Sequence, residues 1–407
     1  MEKLVPRFLK YVGYDTASDA TSSTSPSTEK QLVFAKVVAK ELEEIGLSDV
    51  RVDDFAYVYA SLPSNMDREV PAIGFLAHMD VVMDVPSANI KPYIVRNYDG
   101  GDIVLNEELG IVLSPQAHPE LKNYIGDDII TTDGTTLLGS DNKAGMAEII
   151  TAVEWLINNP HIKHGAVKIA FTPDEEISRG TAHFDIDKFA ADFAFTVDGN
   201  GLGAIVYETF NAASVHARIN GRNFHPGAAK NKMKNALLIG MAFHAMLPAN
   251  ERPEHTEEYE GFYHLNNMEG GVENALLKYI IRDHDLEKLN IRKARMIAAA
   301  EYLNKAHGAN TVELKITDQY RNMREKIEPV MHIVELARDA MRQLGIEPRT
   351  EPMRGGTDGA QLSFMGLPCP NISYGGHNVH GKLEYIPVGN MKKCTDVILK
   401  MIELHSK

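Results

Sequence analysis

The sequence predicts an α/β protein with a second, α+β domain inserted into it. Three observations carry that prediction. Short apolar runs alternate with helical periodicities along the first half of the chain, three of those runs end abruptly in acidic or histidine residues, and the middle of the chain switches to a strand and helix pattern of its own. At 407 residues and 44% hydrophobic composition, the chain can bury a large core and fill two domains.

The first segment reads as helix, loop, helix. TSSTSPST, residues 21 to 28, is a polar loop, and Thr28 with Gln31 has the spacing of a capping box ahead of KQLVFAKVVAKELEEIG. Local capping accounts for these hydroxyl residues without a phosphorylated regulatory segment. Leu32, Val33, Val37, Val38, Leu42 and Ile45 recur at helical spacing, so one face is expected in the core, and Gly46 ends the run.

Three apolar runs with polar ends follow. PAIGFLA leads into His78 and Asp80, AVKIAFT into PDEE at 173 to 176, and DFAFTV into Asp198 and Gly199. Each reads as a buried strand with its polar residues at the carboxyl end. Between the first two lies SDNKAGMAEIITAVEWLINN, a helix with Ile149, Ile150, Val153 and Leu156 on one apolar face. Ligands bind beyond the carboxyl ends of strands in open α/β sheets, so these residues are expected to converge on one crevice.

From about Phe210 to Asn322 the pattern runs SVHARI, a helix through KNALLIGMAFHAML, ALLKYIIRD, a helix DLEKLNIRKARMIAAAEYLNKAHG, and VELKITDQY. Two strand–helix–strand units in a row fit a small ferredoxin-like sandwich. A helix from roughly Pro329 to Leu344 and a final amphipathic helix around Met391, Cys394, Val397, Ile398 and Met401 return to the larger pattern. The expected organisation is one split domain, 1–209 with 323–407, and an inserted domain, 210–322.

Composition excludes several function classes. Against 42 basic residues stand 56 acidic ones, a formal net charge of -14, which repels phosphate backbones and anionic membranes. MEKLVPRFLK lacks an apolar core of signal-peptide length, and no run approaches the roughly 18 apolar residues of a membrane span. Cys369 and Cys394 are the only cysteines and have no CxxC spacing, which argues against a disulfide framework and a thiolate metal site. The expectation is a cytoplasmic protein that engages neither nucleic acid nor membrane.

Taken singly, the polar strand ends have bland explanations. An Asp at a helix entrance is most often a cap, a lone His is most often a satisfied core residue, and paired glutamates often sit in a solvated turn. Their joint placement changes the balance, because several unpaired carboxylates at buried strand ends would cost several kcal/mol each unless neutralised. A pair of divalent metals does that. Histidine nitrogen with Asp and Glu oxygen, and no thiolate, suits zinc or another borderline ion. A two-metal site needs a bridging carboxylate, terminal ligands on each ion and a carboxylate left over as base, and the chain offers that inventory.

Read in order, His78-Met79-Asp80, SDNKAG at 140–145, TPDEE at 172–176, VDG at 197–199 and HNVHGK at 377–382 resemble the M20 clan of dinuclear zinc aminopeptidases, carboxypeptidases and deacylases. The resemblance spans nearly the whole chain. DTASD, SPSTEKQ, the insertion from about 86 to 136, GRNFHPGAAKNKMKNA, MEGGVENA and MRGGTDGAQLSFMGLPCPN bring it nearest to the tripeptide-aminopeptidase branch. Ser178 departs from the pattern, since many members carry Gly there, but it touches no ligand position.

The resemblance implies a zinc-peptidase-like mixed sheet with the insert as a lid, and two zinc ions per chain. His78 and Asp198 would hold one ion, Glu176 and His380 the other, and Asp141 would bridge them. Asp80 would fix the His78 imidazole, Glu175 would be the general base that activates the attacking water, and the Asp141–Asn142 peptide would be cis. His225, in GRNFHPGAAK, resembles a lid histidine that steadies the oxyanion. Arg282 and Arg354 are candidates for a substrate carboxylate, against the equally weighted reading that they pair with neighbouring Asp283 and Asp358; Asn378 and His377 are candidate pocket residues. The activity implied is release of the N-terminal residue from short peptides, with a dipeptidase, carboxypeptidase or N-acyl-amino-acid deacylase as the alternatives. A non-catalytic peptide- or metal-binding protein would need no base beside Glu176. A homodimer is compatible with the sequence, which leaves open whose site His225 serves.

Overall fold

The computed structural model describes residues 2–407 and divides them into two compact units. The first comprises the chain up to Tyr207, Glu325–Glu351 and Thr357–Lys407; the second comprises Glu208–Arg324 and Pro352–Gly356. The chain therefore crosses at Tyr207/Glu208 and Arg324/Glu325 rather than at 209/210 and 322/323, and it returns once more at 352–356. That return was absent from the sequence reading. It is held by a parallel bridge from Thr209 to Met353 and by the Phe210 N–H, which donates to the Gly355 carbonyl at 3.3 Å.

The first unit is built on a mixed sheet of eight strands. Their order across the sheet is Ser48–Val52, Val58–Leu62, Val167–Thr172, Ile73–His78, Phe193–Gly199, Asn371–Ser373, Ala204–Val206 and Arg349–Thr350. The three apolar runs singled out above are neighbours here, and the pairs they form are parallel. Their carboxyl ends thus open on the same side. Successive residues face opposite sides of the sheet. Leu76, Ala170 and Ala194 pack with Phe184, Phe189 and Leu362 on one face, while Phe75 stacks on Phe195, ring centroids 6.0 Å apart, on the other. The helix Ser140–Asn158 is buried nearly all round, against Leu4–Val12, Val388–His405 and the central strands, so its amphipathic reading understated its burial.

The helix Glu29–Ile45 corrects two expectations. Its buried face is Gln31, Phe34, Ala35, Val38, Ala39 and Leu42, and Val33 is 54% exposed. Nor does the capping box form, because the Thr28 hydroxyl donates to the Ala17 carbonyl at 2.9 Å and Gln31 turns toward a distant partner. A buried polar side chain has rotated the face that the apolar pattern predicts. The insertion between residues 86 and 136 adds a hairpin and two strands, Tyr93–Val95 and Ile129–Thr131, that Ile386–Pro387 completes to a three-stranded sheet, over a small core that includes Tyr98, Leu105, Leu113, Leu121 and Tyr385.

The second unit is a four-stranded antiparallel sheet, ordered Phe262–Gly270, Asn274–Asp283, Asn211–Asn220, Val312–Tyr320, with the helices Ala236–Ala245 and Leu286–His307. This is the ferredoxin-like arrangement. The strand Phe262–Gly270 gives no sequence signal, because from Asn266 onward FYHLNNMEG lies exposed along a sheet edge and shows no apolar alternation. Phe243, Leu277, Tyr279, Met296 and Leu303 fill the core between sheet and helices.

Candidate metal centre and active site

Parallel pairing of the central strands brings His78 and Asp198 to the end of their strands, and the short helical turn Glu175–Ile177 follows directly on Val167–Thr172. Asp141 sits at the start of the Ser140–Asn158 helix, where it and Asn142 have non-helical torsions and their peptide bond is cis. Gly145 allows that helix to press on the sheet: a Cβ there would lie 2.3 Å from the Val197 carbonyl oxygen. His380 lies in the loop after Asn371–Ser373.

These side chains form two overlapping groups, His78 with Asp141 and Asp198, and Asp141 with Glu176 and His380; within each, one ligand atom per residue lies within 4.8 Å of the others. Asp141 faces both groups. Its Oδ1 is 2.9 Å from His78 Nε2 and its Oδ2 is 3.2 Å from His380 Nε2. His78 Nε2 is also 3.5 Å from Asp198 Oδ1, and His380 Nε2 is 3.1 Å from Glu176 Oε2. On its far side His78 Nδ1 meets the Asp80 backbone carbonyl at 3.0 Å.

Asp80 itself lies two residues beyond the last residue of its strand. Its carboxylate stands 3.5 Å from His78 Nδ1 and accepts the backbone N–H groups of Glu175 at 3.0 Å and Glu176 at 3.2 Å. Asp80 thereby ties the imidazole to the glutamate turn.

The electrostatics call for positive charge. Burial pushes the Glu175 carboxyl well above its ordinary range, with His78 opposing, and raises Glu176 to about 7. Asp198 is likewise raised by burial. Burial also acts upward on Asp141, but hydrogen bonds from His380 and His78 bring it below its ordinary value. Hydrogen bonds to Asp141 and Glu176 raise His380 to about 11, and His78 is raised against the effect of burial by Asp198 and Asp141. Glu176 Oε1 is buried without a hydrogen-bond partner. A pocket of two histidines among buried carboxylates, one of them with an orphaned oxygen, fits divalent cations held by nitrogen and oxygen.

The remaining candidates are placed as follows. His225 is exposed in the second unit, and its Nδ1 accepts the Gly227 N–H at 3.2 Å, which puts the ring hydrogen of the neutral imidazole on Nε2. Arg282 does not pair with Asp283; its Nη1 donates to the carbonyls of Ile281 at 3.0 Å and Ala213 at 3.3 Å, while Asp283 binds Arg292 at 2.5 Å. Arg354 donates to the carbonyls of Glu258 at 3.0 Å and Glu260 at 2.7 Å and to the Thr256 hydroxyl at 2.8 Å. Asn378 uses its amide NH2 on the Leu383 carbonyl, 3.1 Å, and His118, 3.3 Å, leaving Oδ1 as the atom a ligand could meet. His377 stacks on Tyr385 and meets the Tyr124 hydroxyl at 2.6 Å; burial lowers it to about 4, so it is neutral.

Two buried residues were not singled out from the sequence, and a third, Asp358, was named there only as a possible partner of Arg354. Glu384 accepts hydrogen bonds from the N–H groups of Leu138, Gly139, Ser140 and Asp141 and from the Ser140 hydroxyl, at 2.5 to 3.3 Å. It fixes the turn from which Asp141 projects. Asp358 accepts from the Thr172 hydroxyl at 2.7 Å and is raised to about 7 by burial. Lys143 donates to the Tyr14 carbonyl at 2.6 Å, and burial lowers it to about 7. The signal for Glu384 was a charge inside the apolar stretch LEYIPV; Lys143, directly after Ser140, Asp141 and Asn142, gave none.

A mixed α/β sheet that gathers histidine and carboxylate groups at its strand ends defines a metal-dependent hydrolase. The chain belongs to peptidase family M20/M25/M40, whose family model matches residues 134–404. It is 61% identical over 407 residues, 100% of both chains, to Peptidase T of Caldanaerobacter subterraneus subsp. tengcongensis, and 57% identical over 407 residues, again 100% of both, to Peptidase T of Clostridium novyi. Among solved structures it is similar to the aminopeptidase PepT from Bacillus cereus, with a TM-score of 0.78 and 26% identity, covering 100% of this chain and 99% of that one.

Proposed function

We propose that this chain is a dinuclear, zinc-dependent aminopeptidase that releases the N-terminal residue of short peptides, tripeptides foremost. The observation that carries the reading is the double-faced Asp141 carboxylate, with one oxygen toward His78 and the other toward His380. Asp141 would bridge two ions, His78 and Asp198 would complete one site, and Glu176 and His380 the other. Two such ions supply Lewis acidity toward the peptide carbonyl and lower the pKa of a water at the site.

The chain's own residues do the rest. Glu175 takes the proton of the attacking water and returns it to the leaving amine, a task suited to a carboxyl whose pKa burial has raised. Asp80 holds both His78 and the backbone of that turn, so base and ligand keep a common frame. His225, with hydrogen on Nε2, is a donor for the developing oxyanion. Arg282 and Arg354 are assigned to the substrate carboxylate, and the Asn378 Oδ1 to a substrate N–H. Among the described residues no helix is long and apolar enough to cross a membrane, and both cysteines are buried and unpaired, which supports a cytoplasmic setting.

The test is one tripeptide beside its N-acetylated and C-amidated analogues, with zinc-loaded protein. An aminopeptidase loses the N-acetyl analogue and releases the N-terminal residue from the parent peptide, while the amide, deprived of the carboxylate assigned to Arg282 and Arg354, is cut at the same bond with a raised KM. Release of the C-terminal residue, or removal of the acetyl group, would refute the assignment in favour of a carboxypeptidase or deacylase.

A further inference from the structure

Gln31 leaves its own helix to clasp a residue 143 positions away. Its Nε2 donates to Asp174 Oδ1 at 2.7 Å and its Oε1 accepts the Asp174 backbone N–H at 2.9 Å, so one amide reads both ends of one aspartate. Ser27 adds its N–H to Asp174 Oδ2 at 2.7 Å and its hydroxyl to Oδ1. Gln31, Asp174 and Ser27 are 0%, 1% and 6% exposed, which places these charge-assisted bonds away from competing water.

The far end of the same turn is gripped as well. Arg179 sends Nη1 to the Ser22 carbonyl and Nη2 to the Asp19 carbonyl, each at 3.0 Å, while its N–H closes on the Asp174 carbonyl at 2.9 Å. Between the grips stand Glu175 and Glu176. Asp174 and Ser178 both have left-handed backbones, φ 56° and 59°, a region non-glycine residues enter only when their surroundings hold them there. The segment from Asp19 to Gln31 bonds directly to Asp174 and to Arg179, the residue after Ser178.

We propose that Gln31, with Ser27 and Arg179, is a positioning residue: the 19–31 segment is a latch that acts through Asp174 to set the placement of Glu175 and Glu176. The inference rests on the reading of Glu175 as base and Glu176 as metal ligand. Its reach is considerable, because a displacement of about 1 Å at a reacting group can cost about 10²-fold in rate.

Gln31→Glu sets a carboxylate against Asp174, and adding Asp174→Asn restores complementarity, since the amide at 174 then donates to the carboxylate at 31 where the Asp174 carboxylate accepted from the Gln31 amide. In Gln31→Glu, amide hydrogen exchange across residues 175–179 should accelerate at least about tenfold, the affinity for the weaker of two cobalt(II) ions should fall by about tenfold or more, and kcat on a tripeptide should fall similarly with KM little changed. The double variant should recover all three. Ser27→Ala, which keeps the clasp and removes one hydroxyl, should repeat the pattern at about threefold, and it decides the matter if Gln31→Glu does not fold. Parental exchange, cobalt affinity and kcat in folded Gln31→Glu would overturn the latch. So would a lowered melting temperature with parental kcat per folded molecule, or a folded double variant that recovers nothing. A parent protein that cleaves no peptide refutes the functional reading instead, and exchange and cobalt titration then decide the latch by themselves.

Discussion

Leu138–Asp141 and Asp174–Arg179 both deliver carboxylates to one cluster, yet the first turn hangs from a single side chain and the second from two separate stretches of chain. Glu384 gathers four backbone N–H groups and a hydroxyl onto one buried carboxylate. The glutamate turn is tied to Asp80 on one side and to Ser27, Gln31 and the 19–22 carbonyls on the other. Concentrated support stands or falls as a whole, because losing the acceptor strands every donor in the interior. Distributed support yields by degrees. The first arrangement suits Asp141, which faces both groups; the second suits a turn whose two glutamates have different tasks in the function proposed above.

The largest effect should come from the shared residue. Asp141→Ala should lose both ions by elemental analysis and all measurable hydrolysis, whereas Asp198→Ala should chiefly weaken one ion; equal metal retention in the two would misassign the bridge. Next, Glu175→Gln should keep both ions and lower kcat by about 10³ to 10⁴, because the amide cannot accept a proton. Its neighbour separates the roles within the turn: Glu176→Gln should lose metal first, an amide being a poor ligand, and parental occupancy there would sink the division of labour.

Glu384→Ala breaks the concentrated support directly. With its donors left buried, it should destabilise the fold by about 3–5 kcal/mol in denaturant titration, a loss Gln31→Glu should not approach. His225→Ala touches neither turn, and kcat should fall by about 10² with metal content unchanged. The smallest effect belongs to Glu148, a buried carboxyl whose two oxygens have no hydrogen-bond partner and which burial pushes well above its ordinary range. The folded state keeps a proton that the unfolded chain releases above about pH 4.3, so this group costs stability as pH rises. Glu148→Gln should therefore melt higher than the parent by a margin that widens from pH 5 to pH 8. A constant margin would show that Glu148 is not the group responsible.

How much could be read beforehand depended on the range of the interaction. His78, Glu175, Glu176 and Asp198 announced themselves because each interrupts an apolar strand, a pattern confined to a few consecutive residues. Gln31 looked like half of a local cap and proved to serve Asp174, 143 residues on; Glu384 serves Ser140, 244 residues back. Neither partner leaves a trace in neighbouring sequence. The strands Arg349–Thr350 and Ile386–Pro387, two residues each, are too short to show any period, and the edge strand Phe262–Gly270 buries too little to need one. The second unit's core was legible for the opposite reason: Asn274–Asp283 alternates buried and half-buried residues along almost its full length.

The order of the ligands along the chain has a consequence for how the molecule is made. Synthesis runs from the amino end, and the His78, Asp141 and Asp198 group is encoded within about the first half of the sequence. The group that needs His380 must wait until nearly everything has been translated. The Asn371–Ser373 strand, which separates Phe193–Gly199 from Ala204–Val206 in the sheet, arrives just as late. A chain that ends before residue 371 lacks both His380 and the Asn371–Ser373 strand. The stretch that completes the eight-stranded sheet is thus also the stretch that, on the function proposed above, completes the metal centre.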